Sequence, residues 1–444
     1  MEGVASVGGR GLEDRTAPNS SRRSCPRDHR EKQSWRPATI IRCGAISKPL
    51  RRRILHPAFL RRLRVVDAGD DTGNSRCGFV PSLLLGLYRR AKDLCSPLAL
   101  VPPDTAGAAS IATSLALVPP ATPINHGANH SACVFGPYLP ASSRRSLIVL
   151  RRRCRVIGHQ DYLHSGLTVC NPVSGERWVL PPHEVSDETV VLLDVNHNDQ
   201  AIGTHSFKLL AAQLLVSPAR TLIFQVFSSD EREWGWGTPV ACPISRICLS
   251  DGDSNVVVLR GAVYWLCCEY SGYSILSLKR RGDGAEPKAS LVNLPESCKS
   301  GMHNMCLALS PAAAADDGTS HAALLSVVVH GSDRILVWVR RLRTTARGRR
   351  SRRWELRHVI REDSIRRPMD FRDGWLRGRW LVRFCEGSGA LVLEGDEGDS
   401  PLLLDLQRRV LNKLETVSWD DSCKLPCPYE LDLISYMLFV MKTF

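Results

Sequence analysis

From about Leu147 onward the chain is a succession of short β-rich runs separated by polar turns, and nine of its ten tryptophans are spread through that part: Trp178, Trp234, Trp236, Trp265, Trp338, Trp354, Trp375, Trp380 and Trp419. This pattern predicts hairpins. Asn255 to Cys267 reads NVVVLRGAVYWLC, two β-rich runs hinged on Arg260-Gly261, a dipeptide suited to a tight hairpin turn. Ala322 to His330 and Ile335 to Val339 flank Gly-Ser-Asp, and Ala390 to Glu394, Leu402 to Leu406 and Val410 to Leu414 read as three further strands. Only Phe207 to Leu215 stands out here as a segment of helical length. One large aromatic per hairpin group suits small sheets packed face to face. At ~40–50 residues per blade, Leu147 to Phe444 has room for about six propeller blades, with a pair of open β-sandwiches as the alternative.

The stretch VCNPVSGERWVLPP, Val169 to Pro182, fits the same scheme. Asn171-Pro172 opens a turn, Gly175 allows its backbone, and Pro181-Pro182 ends the second strand. Its position predicts the first complete hairpin of the β domain, with Trp178 packed toward the core.

The 444 residues are 43% apolar and 23% charged, close to an average globular composition, so most of the chain is expected to fold. The net charge of +14 is local. Met1 to Arg64 carries sixteen Lys and Arg against five acids, and Arg340 to Arg367 carries twelve Arg against Glu355, Glu362 and Asp363, which leaves the remainder acidic. Within it, the run RRLRTTARGRRSRRWELR that begins at Arg340 reads as a solvated loop between strand residues Val339 and Trp354. A nuclear localisation or nucleic-acid patch is the second reading. Without interleaved aromatics of the kind that single-strand binders use, nucleic acid is not an expected partner. The sixteen cysteines are scattered from Cys25 to Cys427 without paired CxxC motifs, a usage that points to a reducing compartment, cytoplasm or nucleus. The amino terminus has no apolar core of signal-peptide type, and no run approaches the ~18 apolar residues of a membrane span, so no membrane association is expected.

Four regions follow. Residues 1–35 are Arg-, Ser- and Gly-rich and read as a disordered basic tail. Residues 36–66 carry Ile40, Ile41, Ile46, Leu50, Ile54, Leu55, Phe59 and Leu60 at helical spacings. They predict two short helices, the first capped by Ser47 and the second starting near Pro57. Residues 67–146 read as a linker, with an Ala/Pro-rich segment that repeats LALVPP at Leu98 and Leu115. Residues 147–444 form the β domain.

No catalytic constellation emerges. His126 and His130 are spaced HxxxH, but Gly and Asn between them speak for a polar loop rather than a metal-bearing helix. His159 and His164 read the same way. The run from Asp194 begins like a calcium loop, yet its sixth residue is Asp199 and its twelfth His205, where Gly and Glu are needed. The sequence around Ser388 lacks the full GxSxG spacing, and no phosphate-cradling GxxxxGK[ST] occurs. The expectation is a protein that is not an enzyme, with no metal and no cofactor. Trp265 and Trp338, with alternating apolar neighbours, are expected in the core. Trp234 and Trp236, beside Asp230, Glu231 and Glu233, are the candidates for an exposed target-binding contact.

Several of these motifs resemble a known family. PATIIRCGAISKPLRRRILHPAFLRRLR is similar to the second half of the F-box of plant F-box proteins, especially those of grasses, through Arg42, Lys48, Leu50 and Pro57-Ala58-Phe59-Leu60-Arg61-Arg62. VCNPVSGERWVLPP resembles the first hairpin of the kelch-like, F-box-associated β-propeller of the same proteins. VVVLRGAVYWLC resembles a recurring strand pair of that domain, and LPCPYELDLIS its closing segment. The Leu-Pro-Asp/Glu-type helix that opens the family's F-box has no counterpart before Arg36, so the amino-terminal half of the box is missing or degenerate. The resemblance implies a mainly β, propeller-like domain preceded by a short helical F-box remnant. It further implies the substrate-recognition subunit of a Skp-cullin-F-box ubiquitin ligase, with Ile41, Leu50, Ile54 and Phe59 meeting a Skp-type adaptor and an unknown protein substrate held by the β domain. A stand-alone propeller-like scaffold without a ligase connection is the alternative, with the nucleus as one location for it.

Overall fold

The computed structural model describes residues 47–54, 56, 84–89, 99–101, 138–155, 162–173, 175–185, 189–197, 205–215, 221–230, 234–244, 248–249, 256–269, 272–279, 287–298, 304–310, 323–331, 333–344, 350–367, 371, 374–395, 399–414 and 427–431. The basic tail, Ile41, Phe59, the second expected helix and the HxxxH pair lie outside them. So do residues 102–137, and with them most of the Ala/Pro-rich segment. Among the described residues no helix is long and apolar enough to cross a membrane.

Helix α1 (Lys48–Ile54) is the one α-helix among the described residues. It begins as its sequence requires: the Leu50 N–H donates to Ser47 Oγ at 3.5 Å and the Arg51 N–H to Ser47 O at 2.9 Å, so the serine caps the first turn.

Apart from two short 3-10 turns, the described elements that remain are β-strands, most of them arranged as a propeller of five antiparallel blades. The first blade is β3 (Tyr138–Arg144), β4 (Leu147–Arg155), β5 (Tyr162–Asn171) and β6 (Glu176–Val179). The second comprises β7 (Thr189–His197), β8 (His205–Leu215), β9 (Thr221–Ser228) and an outer edge divided between β10 (Gly235–Trp236) and β11 (Val240–Pro243). In the third blade the interruption is on the inner edge, where β12 (Cys248–Leu249) and β13 (Val256–Leu259) both pair with β14 (Ala262–Glu269). That strand is followed by β15 (Gly272–Lys279) and β16 (Lys288–Val292). The fourth is β17 (Asn304–Ser310), β18 (Leu324–His330), β19 (Arg334–Thr344) and β20 (Arg350–Arg361). The fifth is β21 (Trp380–Phe384), β22 (Ala390–Glu394), β23 (Leu402–Asp405) and β24 (Val410–Lys413).

A smaller, three-stranded sheet closes the ring. Its strands are β2 (Ala99–Val101), β1 (Leu84–Arg89) and, beside β1, β25 (Cys427–Glu430) from the far end of the chain. The apolar clusters trace the circuit. Val149, Leu167 and Phe207 join blades one and two, Leu210, Phe224 and Trp265 join two and three, and Tyr264, Leu307 and Val327 join three and four. Val337, Ile360 and Leu391 join four and five, Leu87, Val382 and Val392 join five to the closing sheet, and Tyr88, Ile148 and Tyr429 return to blade one. Each sheet thus buries both faces against its neighbours, as a propeller requires.

Four sequence expectations change. The spacing arithmetic of about six blades gives way to five full blades, because hairpins such as β7–β8 and β19–β20 are longer than average and the last gap is filled by the three-stranded sheet. Two strands of that sheet, and the first strand of blade one, come from within residues 67–146. VCNPVSGERWVLPP is the outer hairpin of the first blade, preceded by β3–β4, rather than the first hairpin. Its turn is as read: Val173 N–H reaches Asn171 Oδ1 at 3.0 Å, Gly175 N–H reaches Asn171 O at 2.8 Å, and Gly175 has a φ of +78°. Finally, Phe207 to Leu215 is part of strand β8. Its Leu- and Ala-rich composition favours a helix locally, but the middle of a sheet covered on both faces asks for a continuous apolar run, and the tertiary demand prevails.

Trp265 is buried, Trp338 packs against the core of blades three and four, and Trp178 packs against that of blades one and two. The Arg260-Gly261 hinge has φ of +52° and +68°, the doubly left-handed turn that a two-residue hairpin uses.

Candidate protein-interaction site

The two tryptophans singled out in the sequence meet through one residue. Phe227, near the end of β9 and fully buried, has Trp234 edge-on at 5.1 Å and Trp236 edge-on at 5.4 Å. Behind it Phe207 lies at 5.9 Å, and Trp178 of the first blade abuts Phe207 at 5.5 Å. Ring pairs of this kind contribute about 0.5–1.5 kcal/mol each beyond area burial. Gly235 separates the two indoles with a φ of +147°, a conformation that a side chain would strain.

Within this shelf the tryptophans differ. The Trp236 indole N–H donates to Pro181 O at 2.9 Å and its ring stacks on His183 at 4.8 Å. It therefore clamps the segment that connects blade one to blade two. The buried Gln225 amide secures the same segment: its Oε1 accepts from Glu184 N at 2.9 Å and Val185 N at 3.0 Å, while its Nε2 donates to Gly237 O at 3.2 Å. Trp234, in contrast, is 48% exposed. One indole is structural and the other is presented to solvent on a rigid base, with exposed Asp230 nearby in sequence. An open aromatic face resting on a buried ring is what an interaction anchor needs, because large aromatics supply contact area at the centre of protein interfaces.

The helical candidates are less organised. Leu50 on α1 is 42% exposed, whereas Ile54 on the same helix is buried. Ile41 and Phe59 lie outside the described residues. Among the described residues no group of three His, Cys, Asp or Glu side chains is disposed to hold a metal ion.

A polar network in the middle of the ring escaped the sequence reading. Arg144, at the end of β3, donates through Nη1 to Leu192 O at 3.4 Å and to Leu193 O at 2.5 Å, and through Nη2 to Val258 O at 3.4 Å. Its Nε lies 3.2 Å from Glu386 Oε2, while Glu386 Oε1 accepts from Val258 N at 3.3 Å. Blade one is thereby tied to blades two, three and five. Close by, Glu430 at the end of β25 accepts from Gly387 N at 2.8 Å and Ser388 N at 2.6 Å. Burial raises its carboxyl above the ordinary value of 4.5, opposed by those amide hydrogen bonds. Ser146 N–H donates to Glu430 O at 2.9 Å and Tyr429 Oη to Ser146 O at 3.0 Å. These bonds hold Arg145 and Ser146 in a left-handed turn (φ +44° and +70°), a strain that persists where surroundings over-determine the backbone.

Residues 108–444 match the family described as Domain of unknown function (DUF7595). The chain belongs to the DUF7595 family. The DUF7595 match takes in all five blades and β25 but neither α1 nor strands β1 and β2, so two strands of the closing sheet come from outside it. No curated protein matches the chain. Within this DUF7595 protein, Trp234 and Trp236 were legible as an irregular aromatic pair beside acids. Their partners Phe227, His183 and Gln225 carried no such signal.

Proposed function

We propose that this protein is a non-catalytic interaction protein whose β-propeller holds a protein target at the Trp234 shelf. The observation that carries the reading is the half-exposed Trp234 indole, propped on Phe227 beside a tryptophan that is hydrogen-bonded in place. Apolar anchors of this kind dominate protein–protein binding energy. In the finer form of the proposal, the helical segment before the propeller docks on a Skp-type adaptor, so that a target held by the β domain is brought to a cullin ubiquitin ligase and another enzyme transfers ubiquitin. The F-box resemblance of residues 36–66 supports this form, as does Leu50, an apolar side chain left open on α1.

The test is affinity capture with the full chain. Trp234→Ala is expected to lose the bound target while retaining the adaptor, and Leu50→Asp to lose the adaptor while retaining the target. Capture of a target but never of an adaptor leaves a stand-alone scaffold. Target binding indifferent to Trp234→Ala overturns the assigned surface.

A further inference from the structure

In its described part, the Arg-rich stretch 340–367 is mostly strand rather than loop. Arg340 to Thr344 and Arg350 to Arg361 extend the β19–β20 ladder, which pairs Arg340 with Trp354, Arg341 with Arg353 and Leu342 with Arg352. The twelve-residue β20 is the outer edge of the fourth blade, and among the described residues no strand pairs with its far side. The outermost strands of the other blades have two to five residues. An edge of this length, interrupted by a bulge where Leu356 and His358 face Trp338 and Val337, offers a long row of outward backbone N–H and C=O groups, which template strand addition.

Three observations define what this edge would take. Leu356 and Val359 are 44% and 43% exposed, so apolar side chains stand open along the strand. Arg352, Arg353 and Arg361 are exposed on either side of them. Within β20 the charge is five Arg against Glu355, and Glu355 is already 3.7 Å from Arg341. The crowding of cations is physical: burial, with the neighbouring Arg352 charge second, lowers the Arg340 guanidinium from its ordinary value, and burial followed by Arg341 does the same to Arg357. Like charges placed opposite one another in a ladder are unfavourable by themselves. Charged edges also deter self-association, but that purpose is not served by leaving Leu356 and Val359 open among the arginines.

We propose that the β20 edge is a second docking surface, independent of the Trp234 shelf, which accepts an extended acidic and apolar segment of a partner protein as an added strand. The new backbone ladder supplies the common affinity, the arginines select carboxylates, and Leu356 and Val359 receive alternate apolar side chains. A nucleic acid would use the arginines but neither the free ladder nor the apolar pair, and Trp354 packs its ring against the core of blades three and four, with its indole N–H donating to Asn293 O at 2.7 Å.

The experiment titrates the full chain into a fluorescein-labelled peptide of alternating Glu and Val as long as β20. Comparison probes are the same peptide N-methylated at alternate residues, a Lys-Val counterpart and an oligo-dT. Binding is expected for the Glu-Val peptide, weakened at least tenfold by N-methylation, by the paired change Arg352→Glu and Arg353→Glu, and separately by Leu356→Ser with Val359→Ser. All four substituted side chains are exposed, and an unchanged melting temperature confirms folding. Trp234→Ala is expected to leave the affinity unaltered. The proposal is overturned by absence of Glu-Val binding, by equal affinity for the N-methylated peptide or for oligo-dT, or by loss of binding in Trp234→Ala.

Discussion

The Arg144 guanidinium, at the end of the first inner strand, stands 3.2 Å from the Glu386 carboxylate in the turn between β21 and β22 of the fifth blade. The pair joins blades that are remote in the chain, and each partner also binds Val258 of the third blade. Both groups are mostly buried, so removing one leaves the other charged and poorly solvated. Arg144→Met is expected to destabilise the fold by about 2 kcal/mol, less than the ~3–5 kcal/mol of a fully buried pair. The double change Arg144→Met with Glu386→Met should cost less than the two single changes summed, in urea unfolding. Additive losses would show that the pair is not coupled.

Two groups give the stability opposite pH slopes. The Glu430 carboxyl is raised above 4.5 by burial, so the folded state binds its proton more tightly than the unfolded state. That contribution is fully present below pH 4.5 and is lost as pH rises through the folded value. Glu430→Gln should therefore gain on the wild type as pH rises above 4.5. His330, buried in β18, has its imidazole lowered from 6.5 by burial. Its contribution is present above pH 6.5 and is lost as pH falls. His330→Phe should remove that loss, while Glu430→Gln leaves it in place. Denaturation curves across the range separate the two.

The division of labour at the aromatic shelf is directly measurable. Trp236→Ala loses a hydrogen bond, the Phe227 contact and the His183 stack, and is expected to cost about 2–3 kcal/mol, toward the lower end for a large aromatic truncation. Trp234→Ala should stay within about 0.5–1 kcal/mol of wild type in the same melt, as an exposed site does. Equal losses would mean that Trp234 is a structural residue after all.

Burial also silences the thiols. The Cys306 thiol is pushed up to about 12 and Cys170 to about 11, and both are enclosed between sheets. Since the thiolate is the reactive form, neither should alkylate at pH ~8 in the native protein, and both should do so in denaturant. Peptide mapping by mass spectrometry reads each site, and labelling of native Cys306 would contradict the packing.

Much of the β architecture was readable because it is local. Short β-rich runs between polar turns, the Arg260-Gly261 hinge and the Asn171 to Gly175 turn each contain their own reason for being where they are. Ser47 marks the start of α1 in the same way. Phe207 to Leu215 was misleading because an apolar run buried on both faces has no alternation to distinguish it from a helix. The Arg-rich stretch was misleading for a related reason. Charge suggests a loop, but an edge strand has one open side on which arginine is tolerated.

The amino-acid sequence by itself determined the elements: hairpins, turns, the helix cap, and the irregular Trp234-Gly235-Trp236 pair. Only the tertiary structure decided how the ring closes, with β25 paired to β1 across more than 330 residues of chain, and which indole is clamped and which is open. The physical reason is that hairpins obey neighbours in sequence, whereas closure and burial depend on which surfaces meet. Arg144 meets Glu386 and Val258 only when blades one, three and five have already been packed together.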